Sequence, residues 1–183
     1  MPAPYPSRRL PKPLDPALLE ALALAYVARF ATSRAKLEAY LRRKLRERGW
    51  GGTQEPAVSE LAARFAAAGY LDDAAYARAK GGSLLRRGYG MRRVDQALDA
   101  AGIAAEDRAE LNAGPGEQRR AALVMARKRR FGPFGDAADP ARREKQLAAM
   151  LRAGHSLDSA RALIHAPNVA AAEDWAGGAD GQE

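Results

Sequence analysis

The chain has 183 residues, with 30 basic against 22 acidic side chains and a formal net charge of +8 at pH 7. It contains no cysteine, which excludes disulfides and thiolate metal sites and fits a reducing compartment. No apolar run approaches the ~20 residues that a spanning helix needs, so a cytoplasmic protein without a membrane partner is expected.

Ala, Leu, Arg and Glu dominate, β-branched and aromatic residues are sparse, and no stretch alternates at period two for long, which predicts an all-α protein. Residues 1–13 form a Pro-rich tail without an apolar centre, read as disordered. The first helix starts at Asp15-Pro16, proline being tolerated where no amide donor is needed, and Leu19, Leu22, Tyr26 and Phe30 share one stripe. Thr32 or Ser33 caps a second helix with Leu37, Leu41 and Leu45 inward and Gly49 as the stop. A Gly-rich loop leads to a third helix with Val58, Leu61, Ala62 and Phe65 inward. Gly69, Tyr70, Leu71, Asp72 and Asp73 then read as a helix-to-helix joint: a glycine stop, an apolar corner, and carboxylates that suit the positive end of the next helix.

That next helix runs from Asp72 to about Arg87, with Gly81 and Gly82 unfavourable inside it by roughly 1 kcal/mol each relative to alanine. Further helices follow over Met91–Ala101, Ala104 to about Leu111, Gly116 to about Arg130, Pro140–Ala153 and Leu157–His165. Asn112 to Gly116 is the clearest linker. The chain repeats itself: Leu45, Leu98 and Met150 each lie four residues before the helix-ending glycines Gly49, Gly102 and Gly154, which are 53 and 52 residues apart. Three related three-helix modules are therefore expected at 14–69, 70–113 and 114–166, arranged as an elongated tandem array, with an acidic disordered tail at 167–183. Gln146 occupies the place in the third module that Leu41 and Val94 hold in the first two.

Catalysis has little to work with. The only histidines, His155 and His165, lie near helix ends without a partner at metal-ligand spacing and read as surface or helix-end residues. There is no Walker lysine motif, and Gly51-Gly52 and Gly81-Gly82 are poor phosphate loops. The Asp72-Asp73 pair reads as capping rather than as an acid-base or magnesium site. No catalytic residue, cofactor or metal is expected.

Binding is better supported. With Leu37, Leu41 and Leu45 inward, the advance of about 100° per residue puts Arg42, Arg43 and Arg46 on the solvent side. Arg86, Arg87, Arg92 and Arg93 flank the turn Gly88-Tyr89-Gly90, where glycines permit close backbone approach and Tyr89 can stack on a base or cover a module junction. Arg127, Arg129 and Arg130 end one helix, and Arg142, Lys145 and Arg152 share a face of the next.

The joint at 69–73, the Arg-Gly-Tyr-Gly segment at 87–90 and the basic helix Leu41–Trp50 resemble the RecX family, regulators of the RecA recombinase. The resemblance runs from about Leu18 to about Ala166 and is strongest between Ser33 and Ile103. It implies tandem three-helix modules and a protein that binds RecA and its nucleoprotein filament. Such a protein would mainly inhibit recombinase, ATPase and strand-exchange activity in DNA repair and recombination, without chemistry of its own. The basic clusters are then the candidate RecA or nucleic-acid contacts, with non-specific single- or double-stranded DNA as a further partner. No heptad seam argues for a coiled-coil dimer, so a monomer is expected. The alternative is a stand-alone, non-specific DNA-binding helical protein, although the Glu55–Ala68 helix offers DNA only Arg64.

Overall fold

The structure, a computed structural model, describes residues 12–111, 113–137 and 139–178. The described residues are helical, with one isolated backbone bridge between Leu14 and Trp50 and no strand. They fall into two compact units that divide between Asp72 and Asp73.

Unit 1 holds α1 (Pro16–Val27), α2 (Arg34–Arg48) and α3 (Val58–Ala67). Each start follows from local chemistry. The Asp15 carboxylate accepts from Leu18 N–H, Pro16 takes the first helical position, and the Ser33 hydroxyl accepts from Lys36 N–H. Ser33, not Thr32, is thus the cap, and the Thr32 hydroxyl is buried with no hydrogen-bond partner among the described residues. Leu19, Leu37, Leu41, Leu61, Phe65 and Leu71 form the core. Phe30 departs from the expected inward stripe: it lies past the end of α1, is 53% exposed, and makes a tilted ring contact with Tyr26 and a cation-π contact with Arg29. The expected tail at 1–13 falls mostly outside the described residues. Its last two residues are tied down, since Arg48 donates to the Lys12 carbonyl and Pro13 packs beside Gly51.

Unit 2 contains α4 (Asp73–Arg86), α5 (Met91–Asp99), α6 (Ala105–Ala109), α7 (Pro115–Arg129), α8 (Pro140–Arg152), α9 (Leu157–Ile164) and α10 (Val169–Gly177), with a 3₁₀ turn at Gly132–Phe134. Two apolar clusters lie side by side along α7: Ala121 joins Leu85, Val94, Leu98 and Ile103, while Ala122 joins Met150, Leu163 and Ile164. One helix therefore serves both of the stretches expected as second and third modules. Gly81 is the close-packed position in α4, because a Cβ there would meet the Leu111 side chain at 2.5 Å.

The acidic tail at 167–183 requires correction. Residues 169–177 form α10, started by the Asn168 side chain accepting from Ala171 N–H, with Ala172 and Ala176 buried. The apolar spacing of Ala172, Trp175 and Ala176 was obscured by the absence of basic residues. Residues 179–183 lie outside the described residues.

Helix ends are built on one recurring device. Gly69, Gly88, Gly102 and Gly154 all have positive φ, and the residue after each donates back to the carbonyl five positions earlier: Tyr70 to Phe65 (2.9 Å), Tyr89 to Leu84 (3.1 Å), Ile103 to Leu98 (3.1 Å) and His155 to Met150 (3.2 Å). This satisfies carbonyls the helix leaves open and turns the chain back over its own core. Gly49 differs: its ψ of 173° sends the chain out extended, so that its carbonyl accepts from Leu14 N–H and Gly51 N–H donates to the Leu14 carbonyl.

Candidate functional site

On unit 1, α2 presents Arg42, Arg43 and Arg46 to solvent. Two of the three are partly engaged. Arg42 reaches Glu38 (2.7 Å) and Ser59 (3.0 Å), and Arg43 lies 3.6 Å from Glu47 and over the Tyr40 ring. Glu47 is held below the ordinary carboxylate range, first by the hydrogen bond from Lys44 and then by the nearby positive charges of Lys44, Arg43 and Arg46. The face stays cationic, with all three arginines exposed.

On unit 2 the turn Gly88-Tyr89-Gly90 is a docking point within the protein. Gly90 N–H donates to the Ala153 carbonyl at 2.9 Å, and Arg92 N–H to the Gly154 carbonyl at 3.2 Å. A Cβ on Gly90 would stand 2.3 Å from Gly154 backbone atoms, and one on Gly154 2.4 Å from Arg93 N. The glycines do allow close backbone approach, and the backbone approached is the end of α8. Tyr89 is half-buried against the Leu85–Val94 core, with the Arg87 guanidinium 5.5 Å from its ring centre. It covers a junction while remaining partly exposed.

His155 completes this joint, and its reading as a surface residue is corrected. It is 3% exposed, and its Nε2 lies 3.0 Å from the Gly88 carbonyl, so that nitrogen carries the proton and donates. Burial lowers its pKa, while the bond to Gly88 opposes the shift. His165, by contrast, is exposed at the end of α9.

The joint gathers charges that lie far apart in the sequence. Arg86 and Arg87 end α4, Arg92 and Arg93 open α5, and Arg152 ends α8, one residue before the carbonyl that receives Gly90. All five are exposed. Arg92 and Arg93 stand in the first turn of α5, where the helix dipole disfavours cations by about 0.3–1 kcal/mol. Arg142 and Lys145 are exposed on α8, and Lys145 lies about 10 Å from Arg152 along the helix axis. The cluster expected over 142–152 is therefore divided, with only Arg152 at the joint.

At the end of α7, Arg127 is committed internally. It pairs with Glu173 of α10 and lies over the Phe134 ring. Arg129 and Arg130 remain exposed, and Arg130 is the only described non-glycine residue with positive φ, 56°. At the 69–73 joint, Leu71 is buried, Tyr70 packs on Phe65 while 57% exposed, and Asp73 opens α4. Arg119 was missed by sequence reasoning. It lies over the Trp175 ring and donates to the Trp175 carbonyl, fastening α10 to α7, and no local signal ties these two residues together across 56 positions. Among the described residues no group of three His, Asp or Glu side chains could hold a metal ion, and no helix is long and apolar enough to cross a membrane.

No family model matches the chain. The chain is 34% identical over 166 residues to the regulatory protein RecX of Myxococcus xanthus (strain DK1622), a match spanning 84% of this chain and 88% of that one. Its fold is similar to that of the crystal structure of RecX from Lactobacillus salivarius, with a TM-score of 0.64, 18% identity, and coverage of 81% of this chain and 93% of the other. Identity at that level over most of both sequences shows that the chain belongs to the RecX family of regulatory proteins.

Proposed function

We propose that this protein regulates the RecA recombinase by binding its nucleoprotein filament and restraining ATP hydrolysis and strand exchange, with no chemistry of its own. The observation that carries the reading is the charged joint of unit 2. Arginines from the ends of α4 and α8 and the start of α5 flank backbone hydrogen bonds that tie the start of α5 to the end of α8. Guanidinium groups set on fixed helix ends suit phosphate oxygens and carboxylates, and a positive field speeds encounter with a polyanionic filament. The α2 arginines form a second face of the same sign. The protein acts in this reading as a monomer in the cytoplasm, with its three-helix modules following the filament.

The test is RecA's single-stranded-DNA-dependent ATPase, titrated with the protein well below one per RecA at two salt concentrations. Inhibition at low ratios supports action on the filament. Salt-sensitive binding to bare DNA without such inhibition instead supports a stand-alone DNA-binding protein. Reversal of Arg92, Arg93 and Arg152 to glutamate should weaken inhibition with helicity intact, and reversal of Arg42, Arg43 and Arg46 should do the same on the other unit. Full inhibition by both variants would remove these faces as contacts.

A further inference from the structure

Unit 1 carries a second surface of opposite sign. Between the start of α1, the loop after Gly51 and the start of α3 lies a pocket of about 290 Å³. Pro16, Leu19, Trp50 and Leu61 give it apolar walls, and Glu20, Glu55 and Glu60 bring carboxylates to it. Its one cation, Arg64, is shared with Glu20 at 3.4 Å, which leaves Glu55 and Glu60 without an ion pair among the described residues. In a chain of net charge +8 this is a local reversal of sign.

The walls are well supported. Trp50 donates its indole N–H to the Gln54 carbonyl and pairs through its backbone with Leu14, so the ring is fixed in place. Glu60 lies in the first turn of α3, whose N-cap Ala57 supplies no side-chain acceptor, and the helix dipole favours its negative charge there. Beside Glu20, the outward side of α1 is apolar: Ala17, Ala21 and Leu24 are exposed, Leu24 by 47%. α1 thus borders the pocket with a shoulder able to take neighbouring residues of a bound chain.

The geometry points to a recognition site for an arginine side chain presented by a protein partner. The guanidinium would sit between the Glu55 and Glu60 carboxylates, with its methylene stem against Trp50 and flanking apolar residues on the α1 shoulder. Planar guanidinium groups pair with carboxylates and stack on indole rings, a combination that a strongly hydrated ammonium matches less well. Phosphate is repelled here, so the site belongs to protein and not to nucleic acid. It adjoins the α2 arginine face, because Glu60 also borders a shallow groove with Arg42, which donates to Ser59 at 3.0 Å, while the cation that lines the pocket with Glu55 is Arg64.

The experiment uses the full chain, N-acetyl-arginine amide as probe, and N-acetyl-citrulline amide as its uncharged isostere, followed through the two tryptophan indole N–H resonances. The Trp50 resonance should move saturably with the arginine probe and little with citrulline, while Trp175 stays still. In Glu55→Gln/Glu60→Gln the apparent affinity should drop by roughly tenfold. Glu55→Gln alone, outside any helix, covers the case in which the double variant folds poorly, and should lower affinity by a smaller factor. A Trp50 response equal for citrulline, no Trp50 response at all, or a response unaltered in folded variants would overturn the assignment. None of these outcomes bears on the ATPase test, which reads the arginine faces.

Discussion

Gly90→Ala isolates the joint of unit 2. Gly90 has φ −82°, which alanine adopts freely, so any loss comes from contact and not from backbone preference. The added methyl would meet Gly154 carbonyl atoms at 2.3 Å and His155 N at 2.4 Å, all backbone, which cannot swing aside as a side chain can. Relief requires α5 to part from the end of α8. That breaks Gly90 N–H to Ala153, Arg92 N–H to Gly154, and the His155 bond to Gly88. Three bonds at about 1 kcal/mol net each give about 3 kcal/mol. For a urea slope of about 2 kcal/mol/M this is a midpoint shift of about 1.5 M. The Trp175 indole resonance reports unit 2, and Trp50 in unit 1 serves as an internal reference. Gly177→Ala adds the same methyl with nothing within 4 Å and should leave stability unchanged or slightly raised. A loss below about 1 kcal/mol in Gly90→Ala, or an equal loss in the control, would refute the close approach.

Other perturbations test other links. Thr32→Val should raise stability by about 1 kcal/mol in the same denaturation experiment, because it removes an orphaned buried hydroxyl and places an apolar residue just before the Ser33 cap, near Leu37. Arg130→Gly should stabilise by about 1 kcal/mol by relieving the left-handed backbone, whereas Arg130→Ala should not; equal effects would show that the αL cap carries no strain. His155 has a folded pKa below its unfolded value of about 6.5, so it is neutral in the native state and its contribution is present above that pH. Stability should fall as pH drops below about 6.5, because the unfolded chain then binds a proton the folded one refuses. A His155→Gln variant, which can still donate to Gly88, should lose this part of the slope, and an unchanged slope would assign it elsewhere.

Much of the fold was legible because helix ends announce themselves. Asp15-Pro16, Ser33, and the stops at Gly49, Gly69, Gly102 and Gly154 all stand where capping chemistry places them. Composition hid one element: the expectation of an acidic tail at 167–183 follows charge, although Asn168, Ala172, Trp175 and Ala176 carry a capped helix with a buried side. Arg127, a candidate contact, pairs with Glu173 of that same helix. The basic clusters were visible singly, but which of them meet depends on the docking of Gly90 against Gly154, a contact between positions 64 residues apart.

His155 shows how a repeat can be pressed further than its most visible positions. The spacing that relates Gly49, Gly102 and Gly154 also relates the residues just after them: Trp50, Ile103 and His155. In the second and third places the residue after the glycine donates five back and turns over the core, and Ile103 is 1% exposed. A histidine at a position occupied by isoleucine is therefore a core residue that must satisfy a ring nitrogen, and the Gly88 carbonyl does so. Gln146 obeys the same logic. It stands where Leu41 and Val94 are buried, and its side-chain oxygen accepts from Gly132 N–H, in a turn packed so closely that a Cβ on Gly132 would meet the Leu163 carbonyl at 2.4 Å. Both polar residues mark where the third repeat exchanges core packing for a hydrogen bond to a glycine backbone in another segment. The His155 bond ties the end of α8 to the turn before α5, and the Gln146 bond ties α8 to the turn after α7. The arrangement of Arg92, Arg93 and Arg152 on the surface above thus depends on a buried histidine that carries no charge.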